Sequence, residues 1–390
     1  MDRVANPYTP NAGAMPHALV GRDSLLEDFR ILVARVAIGA DEKGFIITGL
    51  RGVGKTVLLS RFREIAEEKD AIVISDEIAK AGPAFAPRFA SLCRRALLEI
   101  SPRARWGDRA ARAARVIKSF SIKVEPTGAV SFGLDVEPQE GKGDSGILAS
   151  DVADVIIALG EAAQESQAVV VFLLDEIQYL DSEELGALVI AKHQVNQRRL
   201  PIVLSGAGLP QLPALTGEAQ TYAERMFTFP ELDALDEPLA TEALLAPARA
   251  LGVEYEPEAA NFIVSYTEGY PYFIQEYGKA VWNLAAGSPI TLDDAKSAKA
   301  VVEEVLDQDF FAVRVGSLPD SERKLVRALA GLGPGEQRPQ DVAGAMGKGS
   351  SSSIGSATAR LIEKGLVYRS RRGQIAFTVP HFDRYVERAL

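Results

Sequence analysis

Cysteine is nearly absent from this chain. Cys93 is the only one in 390 residues, which excludes an intramolecular disulfide and a cysteine-rich zinc site. Histidine is scarce too: His17, His193 and His381 stand far apart, so no histidine-based metal cluster is expected. Long apolar runs are missing. The stretch 168–174 is among the longest and falls well below the ~20 residues of a membrane-spanning helix. The first 17 residues hold no apolar stretch of the signal-peptide kind, so the expectation is a soluble, cytoplasmic protein with no membrane partner. There is no internal repeat. What remains is ordinary globular material, 47% hydrophobic and 25% charged. At 100–200 residues per domain, the length suggests roughly two to four domains.

The net charge of −10 is unevenly spread. Residues 320–390 hold 12 lysines and arginines against 7 acidic residues, a balance of +5, and the other 319 residues carry −15. The body repels nucleic acid, and only the tail can attract it.

Residues 1–17 lack any period and read as an arm lying over a domain or partly disordered. Leu25, Leu26, Phe29, Leu32, Val33 and Val36 recur at helical spacing behind Asp23 and Ser24, which can cap. Strands are expected at 44–49, 71–75, 168–175 and 201–206, with helices at about 55–68, 147–165 and 185–197 between them. Such alternation gives a parallel α/β sheet. Residues 84–118 read as helix with Arg103, Arg105, Arg109, Arg112, Arg115 and Lys118 upon it. Phe120, Ile122 and Val124, then Val130, Phe132 and Leu134, alternate around Pro-Thr-Gly and predict a hairpin. The segment 84–136 reads as an insertion, either a solvated basic helix with an edge hairpin or a contact surface for a partner or for DNA. From about 236 to 313 the pattern is helical throughout.

The sharpest motif is Gly49-Leu50-Arg51-Gly52-Val53-Gly54-Lys55-Thr56, which matches G-x-x-x-x-G-K-[ST] after the strand FIIT and at the start of the helix that carries Thr56, Val57 and Leu58. Glycines let the backbone turn its N–H groups onto a triphosphate, and the helix N-terminus adds partial positive charge. Lys55 is placed to reach the β- and γ-phosphates and Thr56 to ligate Mg²⁺. The apolar strand ending in Asp175-Glu176 is the matching Walker B arrangement, with Asp175 for Mg²⁺ and Glu176 to polarise the attacking water. The expected cofactors are ATP and Mg²⁺. No guanine-specific N-K-x-D motif occurs, which favours ATP over GTP.

With Leu19-Val20-Gly21-Arg22-Asp23, the DEIQYL stretch at 175–180, the strand 201–210, Tyr222 to Phe227 and Glu268 to Phe273, the chain resembles the AAA+/STAND ATPases. The resemblance is to the bacterial and archaeal group similar to origin-recognition initiator ATPases, over about 17–315. It implies a P-loop α/β core at 18–235, a helical lid at 236–315 and a C-terminal winged helix-turn-helix at 320–390. It implies that the backbone of Val20, Gly21 and Arg22 lies against adenine. Ser205 falls at the sensor-1 position that reads the γ-phosphate, or is simply a small polar strand end. Arg225 falls where an arginine finger is donated to a neighbour, or is a surface or salt-bridged arginine. Pro271 in Gly269-Tyr270-Pro271 matches the G-x-P element that packs the lid on the nucleotide, and it also suits the first turn of a helix. No sensor-2 arginine is visible, which implies a switch and not a processive motor.

In the tail, helices are expected at 321–332, 339–346 and 353–364, with strands at 366–370 and 374–379 around Arg371-Arg372-Gly373. Ile354, Ala357, Leu361 and Ile362 point inward on the third helix. Lys348, Ser351, Ser352, Ser356 and Arg360, with Arg369, Arg371 and Arg372 on the wing, are the candidate DNA contacts. The reading is an ATP-hydrolysing switch that binds double-stranded DNA through 320–390. It could form a homo-oligomer or act with an effector protein. The rivals are a signalling or scaffold ATPase whose winged helix binds protein, and an accessory ATPase of a transposition or defence system.

Overall fold

A computed structural model of the chain describes residues 1–11, 13–80, 84–102, 106–124, 136–312, 315–316, 318–370 and 372–389. The apolar runs become β1 (Gly44–Gly49), β2 (Ile72–Glu77), β3 (Val170–Asp175) and β4 (Ile202–Gly208), joined by short β5 (Phe227–Thr228) and β6 (Glu231–Leu232). The strands order β2-β3-β4-β1-β5, with β6 also beside β1, and every pair is parallel. A parallel sheet is covered on both faces, so its strands are apolar at every position and do not alternate. Ile47, Val171, Leu173 and Val203 bury on one face, and Ile46, Ile74, Phe172 and Leu204 on the other.

The first face receives α1 (Asp23–Ala37) and α2 (Lys55–Glu67), whose Phe29 and Phe62 stack with ring centroids 3.9 Å apart. The second face receives α3 (Phe85–Ile100), α4 (Asp108–Val124), α5 (Leu148–Glu165) and α6 (Ser182–Gln197). Here two expectations are corrected. The single helix at 84–118 is two helices. The first half of the hairpin is helix as well: Phe120 continues the buried face of Ala113, Val116 and Ile117 on α4. Three alternating residues cannot separate strand from helix, and the longer helical face prevails. Val130, Phe132 and Leu134 lie outside the described residues, as do Arg103 and Arg105. Three of the basic residues of α4 are engaged within the fold. Arg112 pairs with Glu161 at 3.0 Å, Arg109 bonds Gln164 at 3.1 Å, and Lys118 donates to the Val136 carbonyl.

After α7 (Leu212–Ala219) and α8 (Ala223–Met226) come four helices, α9 (Glu237–Arg249), α10 (Pro257–Thr267), α11 (Pro271–Leu284) and α12 (Leu292–Val305). The segment before α1 is strapped to them. The Tyr8 hydroxyl donates to Leu244 O at 2.6 Å and its ring lies buried against Gly278; Trp282 Nε1 donates to Asp2 O. The last part contains α13 (Asp320–Ala330), α14 (Pro339–Ala345), α15 (Gly355–Glu363) and the antiparallel pair β7 (Val367–Arg369) and β8 (Ile375–Phe377). A further helix, α16 (Phe382–Ala389), was not expected from the sequence. It returns to the four-helix layer through Arg388 to Asp307 at 2.7 Å and through Arg384 to Glu268. Among the described residues no helix is long and apolar enough to cross a membrane.

Candidate functional site

Strand β1 stops at Gly49, and the chain then wraps through Gly52 (φ 87°) and Gly54 (φ 94°) before α2 begins at Lys55. Both angles lie in the left-handed region that glycine enters without penalty. Gly52 has a second reason to lack a side chain. A Cβ there would stand 3.1 Å from Tyr272 Cβ, and the Tyr272 N–H donates to the Gly52 carbonyl at 3.2 Å. The start of α11 therefore sits directly on the loop.

Lys55 is 6% exposed and folds back on its own loop, donating to Gly49 O at 3.0 Å and Leu50 O at 2.8 Å. Burial pushes its ammonium down to about 8, against the pull of the Glu176 and Asp175 carboxylates. An incoming phosphate would favour the charged form and raise that value again. At pH ~7 Lys55 is charged before and after binding. At pH ~9 it is mostly neutral before and charged after, so triphosphate binding takes up close to one proton. Calorimetry in two buffers of different ionisation enthalpy measures this. Equal, near-zero uptake at both pH values would show that Lys55 does not meet the phosphates.

The Thr56 hydroxyl donates to Asp175 Oδ2 at 2.6 Å, and the Glu176 N–H donates to Asp175 Oδ1 at 2.8 Å. Burial raises the Asp175 carboxyl above its ordinary range, while the Thr56 and Glu176 hydrogen bonds oppose the rise. A hydroxyl and a carboxylate converging beneath a phosphate loop are hard oxygen donors, which suits Mg²⁺. Glu176 follows at φ 54°, a left-handed conformation costing a non-glycine residue of order 1–3 kcal/mol.

These groups open onto a cavity of 760 Å³, within the usual range for small-molecule sites. Its walls include Val20 and Arg22, the loop from Arg51 to Val57, Glu176, and Pro271 with Tyr272 and Gln275. Thr9, Pro10, Asn11, Gly13, Ala14 and Pro16 form a further wall that sequence reasoning missed. Tyr8 is the signal that could have found it, because a buried aromatic anchors that segment beside the cavity.

Most of the residues singled out in the sequence come together here, though not all face the cavity. Gly49, Leu50 and Asp175 frame it from behind, and Gly21 (φ 69°) packs on Leu239. Arg51 lines the cavity and also bonds outside it. Its Nη2 donates to the Tyr179 hydroxyl at 2.7 Å, while its N–H donates to Thr378 O at 3.0 Å, joining the loop to the segment after β8.

Ser205 is not at the site. It lies three residues before the end of β4, 2% exposed, and its hydroxyl accepts from the Phe45 N–H at 3.1 Å. The strand runs on through Gly206, Ala207 and Gly208 because small residues continue a covered parallel strand, and this moves its end past Ser205. Arg225 is exposed on α8, away from the cavity, and forms no ion pair with another described residue.

Among the tail residues, Lys348, Ser352, Ser356, Arg369 and Arg372 are exposed and Ser351 is half-buried; Arg371 lies outside the described residues. Arg360 is not the free base-reading side chain expected. Its Nε bonds Glu322 at 2.7 Å, and Lys364 bonds the other oxygen of that fully buried carboxylate at 2.6 Å.

The family described as AAA ATPase domain matches residues 18–204, and one described as a domain of unknown function matches residues 308–386. No curated protein matches the sequence. The Walker-type ATPase of Pyrococcus abyssi is similar at 14% identity and TM-score 0.51, over 93% of this chain and 95% of that one, and it shares the fold. The Aeropyrum pernix ORC1 protein, solved in complex with DNA, matches at 14% identity and TM-score 0.49, over 100% of this chain and 96% of that one. The Thermotoga maritima RuvB Holliday junction branch migration motor matches at 16% identity and TM-score 0.46, over 95% and 97%. Phosphate loop, buried lysine and the paired Thr56 and Asp175 all lie within the matched stretch, and residues 18–204 carry an AAA ATPase domain with a P-loop.

Proposed function

We propose that this protein is a slow, ATP-hydrolysing switch of STAND type whose tail responds to the nucleotide and binds double-stranded DNA. The observation that carries this reading is the meeting of Lys55, Thr56 and Glu176 in one cavity, with Asp175 bonded to Thr56 behind it and the tail bonded to the same loop through Arg51. The proposed units are an arm (1–17), an ATPase core (18–235), a helical lid (236–315) and a winged helix (320–390).

Loop N–H groups and Lys55 hold the β- and γ-phosphates. Thr56 and Asp175 would hold Mg²⁺, which would supply neutralising charge to the phosphate oxygens. Glu176 takes the proton of the water that attacks the γ-phosphorus as the bond to the β-phosphate oxygen breaks. The backbone around Val20, Gly21 and Arg22 faces the base, and Pro271 seats the lid. Arg225, exposed on α8, suits donation to a second copy's site. The test is phosphate release from Mg²⁺·ATP by the full chain, with and without duplex DNA, alongside mass measurement. No release above a Lys55→Ala control would retire hydrolysis.

The order α13, α14, α15, then the β7/β8 hairpin, supports the winged-helix reading, and exposed Lys348, Arg369 and Arg372 support phosphate binding. Replacing Arg371 and Arg372 by Glu is expected to weaken DNA binding alike on all sequences. The plot of log affinity against log salt flattens by about two units. Arg360 and Lys364 spend charge on Glu322, which favours the rival reading of a protein-binding tail. Negligible affinity of the full chain for duplex DNA at ~50 mM salt, with no slope to flatten, would retire the DNA reading and favour that rival.

A further inference from the structure

Glu176 does not stand alone beside the cavity. The chain turns through one 3₁₀ turn, Ile177–Tyr179, and this brings the side chain of Gln178 back onto it. The Gln178 Nε2 amide donates to Glu176 Oε2, and Gln178 Oε1 accepts the Leu209 N–H at 3.2 Å. The amide thus spans from the end of β3 to the end of β4. Space for it exists because position 208 is glycine: a Cβ there would stand 2.2 Å from Gln178 Oε1. The end of β4 beside it reads Gly206-Ala207-Gly208-Leu209 and supplies no polar side chain of its own, since Ser205 is turned to β1.

We infer that Gln178 is a positioning residue for hydrolysis, holding the Glu176 carboxylate toward the γ-phosphate end of the cavity from an anchor on the Leu209 N–H. This rests on the reading of Glu176 as the base. A carboxylate on a flexible side chain has many rotamers, and only a few aim it at the attacking water. The Gln178 amide selects among them. Its own orientation is set by β4, which pairs with β1 up to Thr48 opposite Gly208, one residue before the phosphate loop. Base, anchor and phosphate cradle therefore rest on three adjacent strands.

The test uses the full chain and Mg²⁺·ATP. Gln178→Ala is expected to lower kcat about tenfold while nucleotide Kd stays within about twofold. Gln178→Glu keeps the shape but loses the donor and sets two carboxylates together. Its kcat should fall further than that of Gln178→Ala. Gly208→Ala should lower kcat like Gln178→Ala, and should add little to it in the double variant. A purely structural role would lower thermal stability and affinity together with kcat. Turnover of Gln178→Ala equal to or above wild type, alongside a large loss in Glu176→Gln, would overturn the inference and leave the base intact. Full turnover in Glu176→Gln would remove both.

Discussion

Lys55→Ala is expected to bind ATP at least 100-fold more weakly than the wild type, with no loss of fold. Removing one partner of a buried, charge-assisted phosphate contact costs about 3 kcal/mol, and about 1.4 kcal/mol is tenfold in affinity. The fold is spared because burial disfavours the charged ammonium of Lys55 in the free protein, and among the described residues its hydrogen bonds go to carbonyls of its own loop. Melting of the free variant should match wild type within a few degrees. The wild type gains stability with ATP, about 2.7 kcal/mol at a hundredfold excess over Kd, and the variant should gain almost none at the same concentration. Titration and melting together check this. An affinity within twofold of wild type would show the loop to be ornamental.

Glu176→Gln should retain ATP while slowing hydrolysis 100-fold or more, in the range for loss of a general base. Gln is the same size, can still meet Gln178, and leaves Asp175 and Thr56 in place, so binding is preserved. The loss should appear in single-turnover phosphate release and in kcat, not in Kd. Unchanged turnover would move the base to another residue. A variant that binds but does not hydrolyse also holds the protein in its ATP state. If the tail responds to nucleotide, its DNA affinity in this variant should differ between ATP and ADP.

Periodicity and motif spacing were enough for the sheet, the phosphate loop and the carboxylate pair. Each of these is local: a run of five to eight apolar residues, or glycines at set intervals, carries its own physical requirement wherever it sits. The helices of the tail were legible for the same reason. Phe120 was misread because three alternating residues suit either period, and only the packing of α4 against α5 decides. α16 went unread although Phe382, Tyr385 and Val386 recur at helical spacing, because it is short and follows a hairpin.

Contacts between distant segments were decided by the tertiary structure alone. Nothing in sequence pattern says that Arg51 bonds Tyr179, or that Thr378 bonds the phosphate loop across 327 residues of chain. Nor does pattern say that Glu322 neutralises Arg360, or that Ser205 stops short of the strand end while Gln178 reaches it. Period and propensity report what a residue's immediate neighbours demand. Which charge finds which partner, and which side chain fills the space above a glycine, depend on how whole layers pack.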